Sequence, residues 1–337
     1  MTVTLRDIAR EAGVSVSVAS RVLNKDLSLR TRPDTRLRVE KVAKDLGYHP
    51  NYGARSLRLA RTAAIAFVVP EVNNAIFTEV IRGVEDGAAE LGLDVLLGSG
   101  QRLDPNSGFL NRLDAQRRVD GFLIQPRDTD DPDRPDHLSV GISSPTVWLN
   151  TKRDHGSVYL DNAAAAALAT EHLIGLGHTT IGFLGGRSAS YTAREREAGF
   201  RSAMATADLE VRPTWVRKHG YRAEDGVEAA TSLLTARGRR PTAIVVANVN
   251  AAIGALRAAR DCGVSVPGDL SVIALHDVWF SEYSTPQLTV VRMPLYEMGH
   301  YGIVDLHAQM EGEPPKARKI VDPAPILEVR ESTAPPE

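Results

Sequence analysis

Four polar side chains in the sequence stand where they could bind a small molecule. Asn150, Asn248 and His276 each come directly after a short apolar run, and Gln125 follows a fourth. Amide side chains donate and accept hydrogen bonds, and a histidine donates one bond, accepts one and can become charged near neutral pH. These residue types suit the polar groups of a metabolite, so the pattern indicates a ligand-binding site.

Residues suited to catalysis are poorly placed for it. The GSG at residues 98–100 follows an apolar run, but Leu103 replaces the third glycine of a dinucleotide-binding loop. The sequence contains no GxxxxGK[ST] phosphate loop and no His/Cys cluster at zinc spacing. Ser188 or Ser190 could pair with His276 as nucleophile and base, yet no GxSxG turn supports this arrangement. We therefore expect no enzymatic activity, no cofactor and no bound metal.

The candidate ligand residues require sheets that bring the ends of the apolar runs together. The run AIAFVVP at residues 64–70 is typical of a buried parallel strand, and strand-like and helix-like segments alternate after it. Two sets of similar size predict an α/β body of two similar parallel-sheet subdomains. In such sheets a ligand binds beyond the carboxyl ends of the strands. We predict strands at 64–70, 94–98, 121–125, 146–150, 180–184, 215–218, 243–247 and 271–275, and helices at 76–91, 109–118, 163–176, 192–207, 224–236 and 251–262.

Residues 4–23 predict two short helices joined by a tight turn. Thr4 can cap the first helix with Asp7 as its reciprocal partner. Gly13 can end that helix, and Ser15 can cap the second. A third apolar stripe predicts a third helix further on. The inward positions recur at helical spacing and predict one small core, made of Leu5, Ile8, Ala9, Ala12, Ala19, Val22, Leu23, Val39, Val42, Ala43 and Leu46.

The outward face of the second helix could contact DNA. Val16, Ser17, Ser20 and Arg21 lie there, near the helix start. A helix-turn-helix places the first residues of its second helix against base edges in the major groove, and arginine suits guanine. The local pattern fits a surface helical hairpin of a larger α domain equally well.

The charge distribution favours the DNA-binding interpretation. Residues 1–61 carry thirteen Lys/Arg and six Asp/Glu, whereas the remainder carries 27 Lys/Arg and 36 Asp/Glu. A basic segment on an acidic body is typical of a nucleic-acid-binding module fused to another domain. No run approaches the roughly 18 apolar residues of a membrane span, and no signal peptide is evident. We expect a cytoplasmic protein with no membrane partner.

Several motifs resemble the LacI–GalR family of bacterial transcription regulators. They are DIAREAGVSVSVASRVLN near the N-terminus, GYHPN at residues 47–51, HLIGLGH at 172–178, VPGDLSVIA at 266–274 and RESTAPP at 330–336. The resemblance covers essentially the whole chain. It implies an N-terminal α-helical helix-turn-helix domain and a periplasmic-binding-protein-like body, in which the chain crosses between two subdomains three times.

The resemblance also implies the domain limits. Residues 1–50 would form the helix-turn-helix domain, and residues 51–61 a hinge helix. Residues 62–161 and 293–319 would form the first effector-binding subdomain, and residues 162–292 and 320–331 the second. The crossings would lie near Asp161, Arg292 and Ile320.

The resemblance implies a homodimer that binds double-stranded operator DNA. The helix-turn-helix domain and the hinge would make the DNA contacts. Leu57 would be an apolar wedge in the minor groove, although a plain linker with an exposed leucine is the alternative. The implied DNA-binding residues are Thr4, Ser15, Val16, Ser17, Ser20, Arg21 and Asn24, and Asn51, Ala54, Arg55 and Leu57 in the hinge.

The implied effector site contains Asn73, Phe77, Asn150, Arg196, Tyr221, Asn248 and His276. The sequence departs from the family at two positions that commonly carry aspartate, where it has Val249 and His276. We therefore expect a polar, carbohydrate-like effector other than a neutral hexose, such as an acidic or modified sugar. The alternatives are that His276 bonds only to backbone and that Arg196 forms an interdomain ion pair.

These inferences together predict a dimeric transcription repressor controlled by a small-molecule effector bound between two subdomains. The competing interpretation is a solute-binding protein of a transport system. Such a protein would share the body but would have no use for residues 1–61.

Overall fold

The computed structural model describes residues 3–24, 26, 29–48, 61–100, 108–127 and 141–337. The chain forms two compact units, Met1–Thr62 and Ala63–Glu337, which we call the head and the body. The predicted hinge residues lie outside the described residues; they are Asn51, Ala54, Arg55 and Leu57.

The head contains three helices, α1 (Leu5–Glu11), α2 (Val16–Leu23) and α3 (Pro33–Asp45). Thr4 and Asp7 form the predicted reciprocal cap on α1, and the Ser15 hydroxyl accepts the backbone N–H of Val18 at the start of α2. Gly13, between α1 and α2, has a φ of 63°, a conformation that glycine adopts without steric cost. The buried core residues are Ile8, Ala9, Ala12, Ala19, Val22, Val39 and Ala43. Leu46, which was also predicted in this core, is 41% exposed.

The body contains two six-stranded sheets. In the first sheet the order is β11-β5-β4-β3-β1-β2 and every pair is parallel. Its strands are β1 (Ala64–Val69), β2 (Asp94–Ser99), β3 (Gly121–Ile124), β4 (Thr146–Leu149), β5 (Ser157–Leu160) and β11 (Ala317–Ile320).

The second sheet repeats this order as β12-β10-β9-β8-β6-β7, with only the β10–β12 pair antiparallel. Its strands are β6 (Ile181–Gly185), β7 (Val216–Lys218), β8 (Ala243–Val246), β9 (Ser271–Leu275), β10 (Thr289–Arg292) and β12 (Ile326–Glu328). The chain therefore changes sheet after β5, after β10 and after β11.

Helices cover both sheets. They are α4 (Phe77–Leu91), α5 (Phe109–Ala115), α6 (Asn162–Gly175), α7 (Tyr191–Thr206), α8 (Ala223–Leu234), α9 (Val249–Asp261) and α10 (Leu295–Met310). Among the helices of the described residues, none is long and apolar enough to cross a membrane.

Glycines allow the backbones of three pairs of helices to pack in direct contact. On α8 and α9, a Cβ added to Gly226 would overlap the carbonyl oxygen of Ala251, and one added to Gly254 would overlap that of Ala223. Gly83 and Gly299 have the same reciprocal relation on α4 and α10, and Gly199 on α7 approaches α6 in this way. These pairs are therefore held together by close backbone packing.

The predicted elements are mostly confirmed, with two kinds of correction. Strands β5, β10, β11 and β12 were not predicted, because each is only three or four residues long and lies in a segment of mixed composition. Helix α10 was not predicted either. The predicted strand start at Trp215 is wrong. Pro213–Trp215 forms a 3₁₀ turn, and the strand begins at Val216, because Pro213 opens the turn and the Trp215 indole donates to the Arg239 carbonyl at 3.2 Å.

Candidate functional site

Asn150 and His276 occupy equivalent places in the two sheets. Asn150 follows β4 and His276 follows β9, and each of these strands is third in its sheet. Both residues have positive φ, 50° and 71° respectively. Such a conformation is uncommon for residues other than glycine and is found where surrounding structure enforces it. The two sheets therefore present polar side chains at matching strand ends, as the sequence predicted.

Arg196 on α7 is the centre of a buried polar network. Its side chain is 2% exposed. Its Nε donates to Asn162 Oδ1 at 2.9 Å, one terminal nitrogen donates to the Ala247 carbonyl at 2.5 Å, and the other lies 2.7 Å from His276 Nε2. The guanidinium thus joins the start of α6 to the ends of β8 and β9.

Asn162 extends this network to the first sheet. Its Nδ2 donates to Asn150 Oδ1 at 2.9 Å, and the residue is 1% exposed. Sequence reasoning missed Asn162. The available signal was a polar Asp161–Asn162 pair immediately before an alanine-rich helix, at the first predicted crossing between subdomains.

His276 is held in a neutral state. Arginine can only donate, so Nε2 accepts the bond from Arg196 and the ring proton lies on Nδ1. Burial, and then the positive charge of Arg196, lower the pKa of His276 well below its ordinary value. Burial and the neighbouring guanidinium therefore oppose the charging near neutral pH that a histidine can undergo.

The alternatives considered for these two residues do not describe the site. The His276 side chain bonds to Arg196 rather than to backbone. Arg196 forms no ion pair with any carboxylate in the part of the chain that the structure describes; all three of its hydrogen-bond partners are neutral.

Asn248 and Tyr221 lie beside this network. Asn248 directly follows Ala247, is 4% exposed and caps α9 by accepting the N–H of Asn250 at 2.8 Å. The Tyr221 ring centroid is 5.3 Å from Arg196 Cζ, and its hydroxyl lies 3.2 Å from the hydroxyl of Thr192. Both residues thus lie close to Arg196.

The loop between β1 and α4 contacts the starts of α8 and α9, beside the second sheet, through neighbours of the predicted residues. Asn74 Oδ1 accepts a bond from Asn250 Nδ2 at 2.9 Å, and Glu71 forms an ion pair with Arg222. Asn73 itself is exposed, and Phe77 packs into the main core. These contacts join loops at the polar ends of the two sheets.

In the head, exposed side chains remain at the start of α2. Val16 is 42% exposed and Ser17 is also exposed. Arg21 Nε donates to Asp26 Oδ2 at 2.8 Å. Asn24 Nδ2 donates to the Ser20 carbonyl at 2.7 Å, so this pair stabilises the end of α2. Thr4 and Ser15, also predicted to contact DNA, have their hydroxyls engaged in helix caps.

Two family models match the chain. The model described as "Bacterial regulatory proteins, lacI family" matches residues 4–51, which include all three helices of the head. The model described as "Periplasmic binding protein-like domain" matches residues 170–333, which include Arg196, Asn248 and His276.

Individual proteins resemble most or nearly all of the chain. Catabolite control protein A from Priestia megaterium is 31% identical over 340 residues, which are 99% of this chain and 100% of the relative. A crystal structure of a LacI family transcriptional regulator from Mycobacterium smegmatis is 37% identical, with a TM-score of 0.75 over 81% of this chain and 100% of that chain. The lac repressor dimer bound to operator and the anti-inducer ONPF is 26% identical, with a TM-score of 0.82 over 99% and 100%.

Proposed function

The chain belongs to the lacI family of bacterial regulatory proteins, and we propose that it acts as a homodimeric repressor of transcription controlled by a small metabolite. Members of this family bind DNA and are not enzymes. The observation that carries the proposal is the joint presence of a capped helix-turn-helix and a body whose two sheets end in one polar network. A solute-binding protein of a transport system, the competing interpretation, is not favoured, because the match includes residues 4–51.

The start of α2 is the proposed base-reading surface. Val16 and Ser17 are exposed there, and Arg21 carries the donors that suit guanine O6 and N7. The ion pair with Asp26 supports an ordered Arg21 side chain before DNA arrives. Thr4, Ser15, Ser20 and Asn24, which already have partners within the head, would contribute mainly by positioning this surface and by bonding phosphates.

The hinge segment, residues 51–61, would increase the affinity of the protein for its operator DNA. We propose that Arg55 neutralises phosphates and that Leu57 enters the minor groove at the centre of the operator, with Asn51 and Ala54 in the same segment. The basic balance of residues 1–61 supports strong, salt-dependent binding to DNA.

The metabolite would bind between the two sheets of the body. We propose that the first subdomain consists of residues 62–161 and 293–319 and the second of residues 162–292 and 320–331. The effector site would be formed by residues from both, namely Asn73, Phe77, Asn150, Arg196, Tyr221, Asn248 and His276. An effector bound there would shift the relative pose of the subdomains, and coupling of about 1–3 kcal/mol to DNA binding would be typical.

Exposed apolar residues support a homodimer. Leu96 and Leu97 are each 41% exposed on β2, which lies at the edge of the first sheet. Trp279 and Tyr283 are 72% and 78% exposed beside the second sheet. Apolar surface of this kind marks protein interfaces. We propose that both subdomains contribute to the dimer, and that the dimer works in the cytoplasm, where its operator is.

The test is the selection of operators from random DNA by the full-length protein, followed by fluorescence anisotropy. We expect enrichment of a near-palindromic sequence, as a two-fold dimer requires. If the folded dimer bound no sequence in preference to random DNA at low salt, the proposal would be refuted.

A matched pair of variants separates base reading from general electrostatics. Arg21→Ala should cost about 1–3 kcal/mol and relax the preference at one position of each half-site. Lys44→Ala removes the same charge from an exposed position on α3 and should weaken all sequences equally, if at all. Equal effects of the two variants on sequence preference would contradict the role given to Arg21.

A further inference from the structure

The network around Arg196 leaves hydrogen-bonding capacity unused. Arginine has five N–H donors and no acceptor. Arg196 directs three of them to Asn162, the Ala247 carbonyl and His276. Two N–H groups, one on each terminal nitrogen, therefore remain for a ligand.

Arg196 also fixes the direction of the neighbouring bonds. Because Arg196 donates to Asn162, the contacted atom is the Asn162 oxygen, and its amide nitrogen faces Asn150. Asn150 therefore accepts with Oδ1 and retains its NH₂ group. By the same reasoning His276 accepts at Nε2 and carries its proton on Nδ1, a buried atom with no partner among the described residues.

The unused groups at these strand ends are consequently mostly donors. The Asn248 oxygen accepts the N–H of Asn250, which leaves the Asn248 amide nitrogen available. Gln125 Oε1, at the end of β3, is a buried acceptor without a partner in the described chain. A ligand that fits this set has many acceptor oxygens and at least one hydroxyl.

Within the described part of the chain, no carboxylate pairs with the charge of Arg196, whose neighbours are neutral groups and the Tyr221 ring. Two acids that adjoin members of the network in sequence are engaged elsewhere: Asp277 binds Arg330 through two bonds of 3.1 and 2.8 Å, and Asp161 lies 2.7 Å from Lys319. A buried charge is costly unless it is paired. Arg196 therefore supplies a positive charge for which a ligand can provide the partner.

We propose that the effector is a hydroxylated organic anion, a sugar acid or a sugar phosphate. Its anionic group binds the two remaining N–H groups of Arg196. Its other oxygens accept from Asn150, Asn248 and the Nδ1–H of His276, and one hydroxyl donates to Gln125. This inference rests on the proposed function, in which a metabolite bound in the body controls the regulator.

The test is calorimetric titration of the full-length protein with pairs that differ in one anionic group, namely D-galacturonate against D-galactose and glucose 6-phosphate against D-glucose. We expect at least one anion to bind at least about thirtyfold more tightly than its neutral counterpart, the lower end of what loss of one partner of a buried charge pair costs. The pair that shows the preference distinguishes a sugar acid from a sugar phosphate.

Two substitutions at one position test whether charge is the cause. His276→Asp places a carboxylate against Arg196, whereas His276→Asn places an amide of nearly the same shape there. The affinity for the anion should fall at least about tenfold further in His276→Asp than in His276→Asn, because only the first repels the ligand's charge. Circular dichroism and a cooperative thermal unfolding transition establish that both variants are folded.

The outcomes are decisive in both directions. A neutral sugar that binds the wild-type protein as tightly as its acid or phosphate overturns the proposal. So does the absence of binding by all the anions up to the millimolar range, or equal losses in the two variants. If His276→Asp does not fold, the wild-type preference decides alone. Failure of the proposed function is distinct from these results, since it would be seen as loss of operator selection in the absence of any ligand.

Discussion

Gly254→Ala should destabilise the body although alanine is the better helix former. Gly254 lies in the interior of α9, where an added Cβ would overlap the Ala223 carbonyl oxygen and lie 2.8 Å from Val227 N, both on α8. These are backbone atoms, so no side-chain rotation can relieve the overlap. The two helices would have to separate along their whole contact.

Two opposing effects set the change in the free energy of unfolding of Gly254→Ala. Replacing glycine by alanine inside a helix gains about 1 kcal/mol. Overpacking costs typically about 1–3 kcal/mol and occasionally more, and a collision with backbone belongs at or above the upper end of that range. We therefore expect a net loss of roughly 2 kcal/mol, which corresponds to a fall in Tm of about 4–8 °C for a unit of this size.

Gly175→Ala is the matched control. Gly175 is the last residue of α6, is exposed, and has nothing within 4 Å of the position that a Cβ would take. The same substitution there should stabilise by about 0.4–1 kcal/mol and raise Tm slightly. Differential scanning calorimetry of both variants provides the comparison. Shifts of the same sign would refute the assignment of close backbone packing to α8 and α9.

Three further predictions concern caps, the C-terminal segment and pH. Ser15→Ala removes the cap of α2 and should cost the head about 1 kcal/mol, measured by helix content against temperature. Ser332→Ala leaves the Val272 carbonyl and the Thr289 N–H unpaired and should cost about 2–5 kcal/mol in urea unfolding. Burial lowers the pKa of His178 below 6.5, so the unfolded state binds more protons than the folded state below that pH. The contribution of His178 to the free energy of unfolding should therefore be constant above pH 6.5 and fall as the pH drops towards the folded-state pKa. The urea midpoint should fall over the same pH range.

The ends of the strands could be predicted because buried parallel strands give a strong local signal. The apolar runs before Asn150, Asn248 and His276 are nearly free of polar residues, so the positions where they end are clear in the sequence. Strands β5 and β11 gave no such signal, since SVYL and ARKI mix apolar, aromatic and charged residues. Their position in the sheet depends on partners that are distant in sequence.

The connections within the site could not be predicted from local patterns. Asn162 and Arg196 are 34 positions apart, and Arg196 and His276 are 80 positions apart. The neutral state of His276 depends on both burial and the nearby guanidinium, which only the folded chain brings together. Residue type alone suggested a histidine able to titrate near neutral pH, which burial and the guanidinium oppose.

The late position of two edge strands determines when the protein can come under effector control during its synthesis. β11 completes the first sheet and β12 the second, and both lie within the last 21 residues of the 337-residue chain. The head, Met1–Thr62, makes its own compact unit and is synthesised first. At about 5–20 residues per second, the ribosome needs roughly 14–55 s to add the remaining 275 residues. A nascent chain thus carries a DNA-binding head for most of its synthesis before either sheet of the body can be completed.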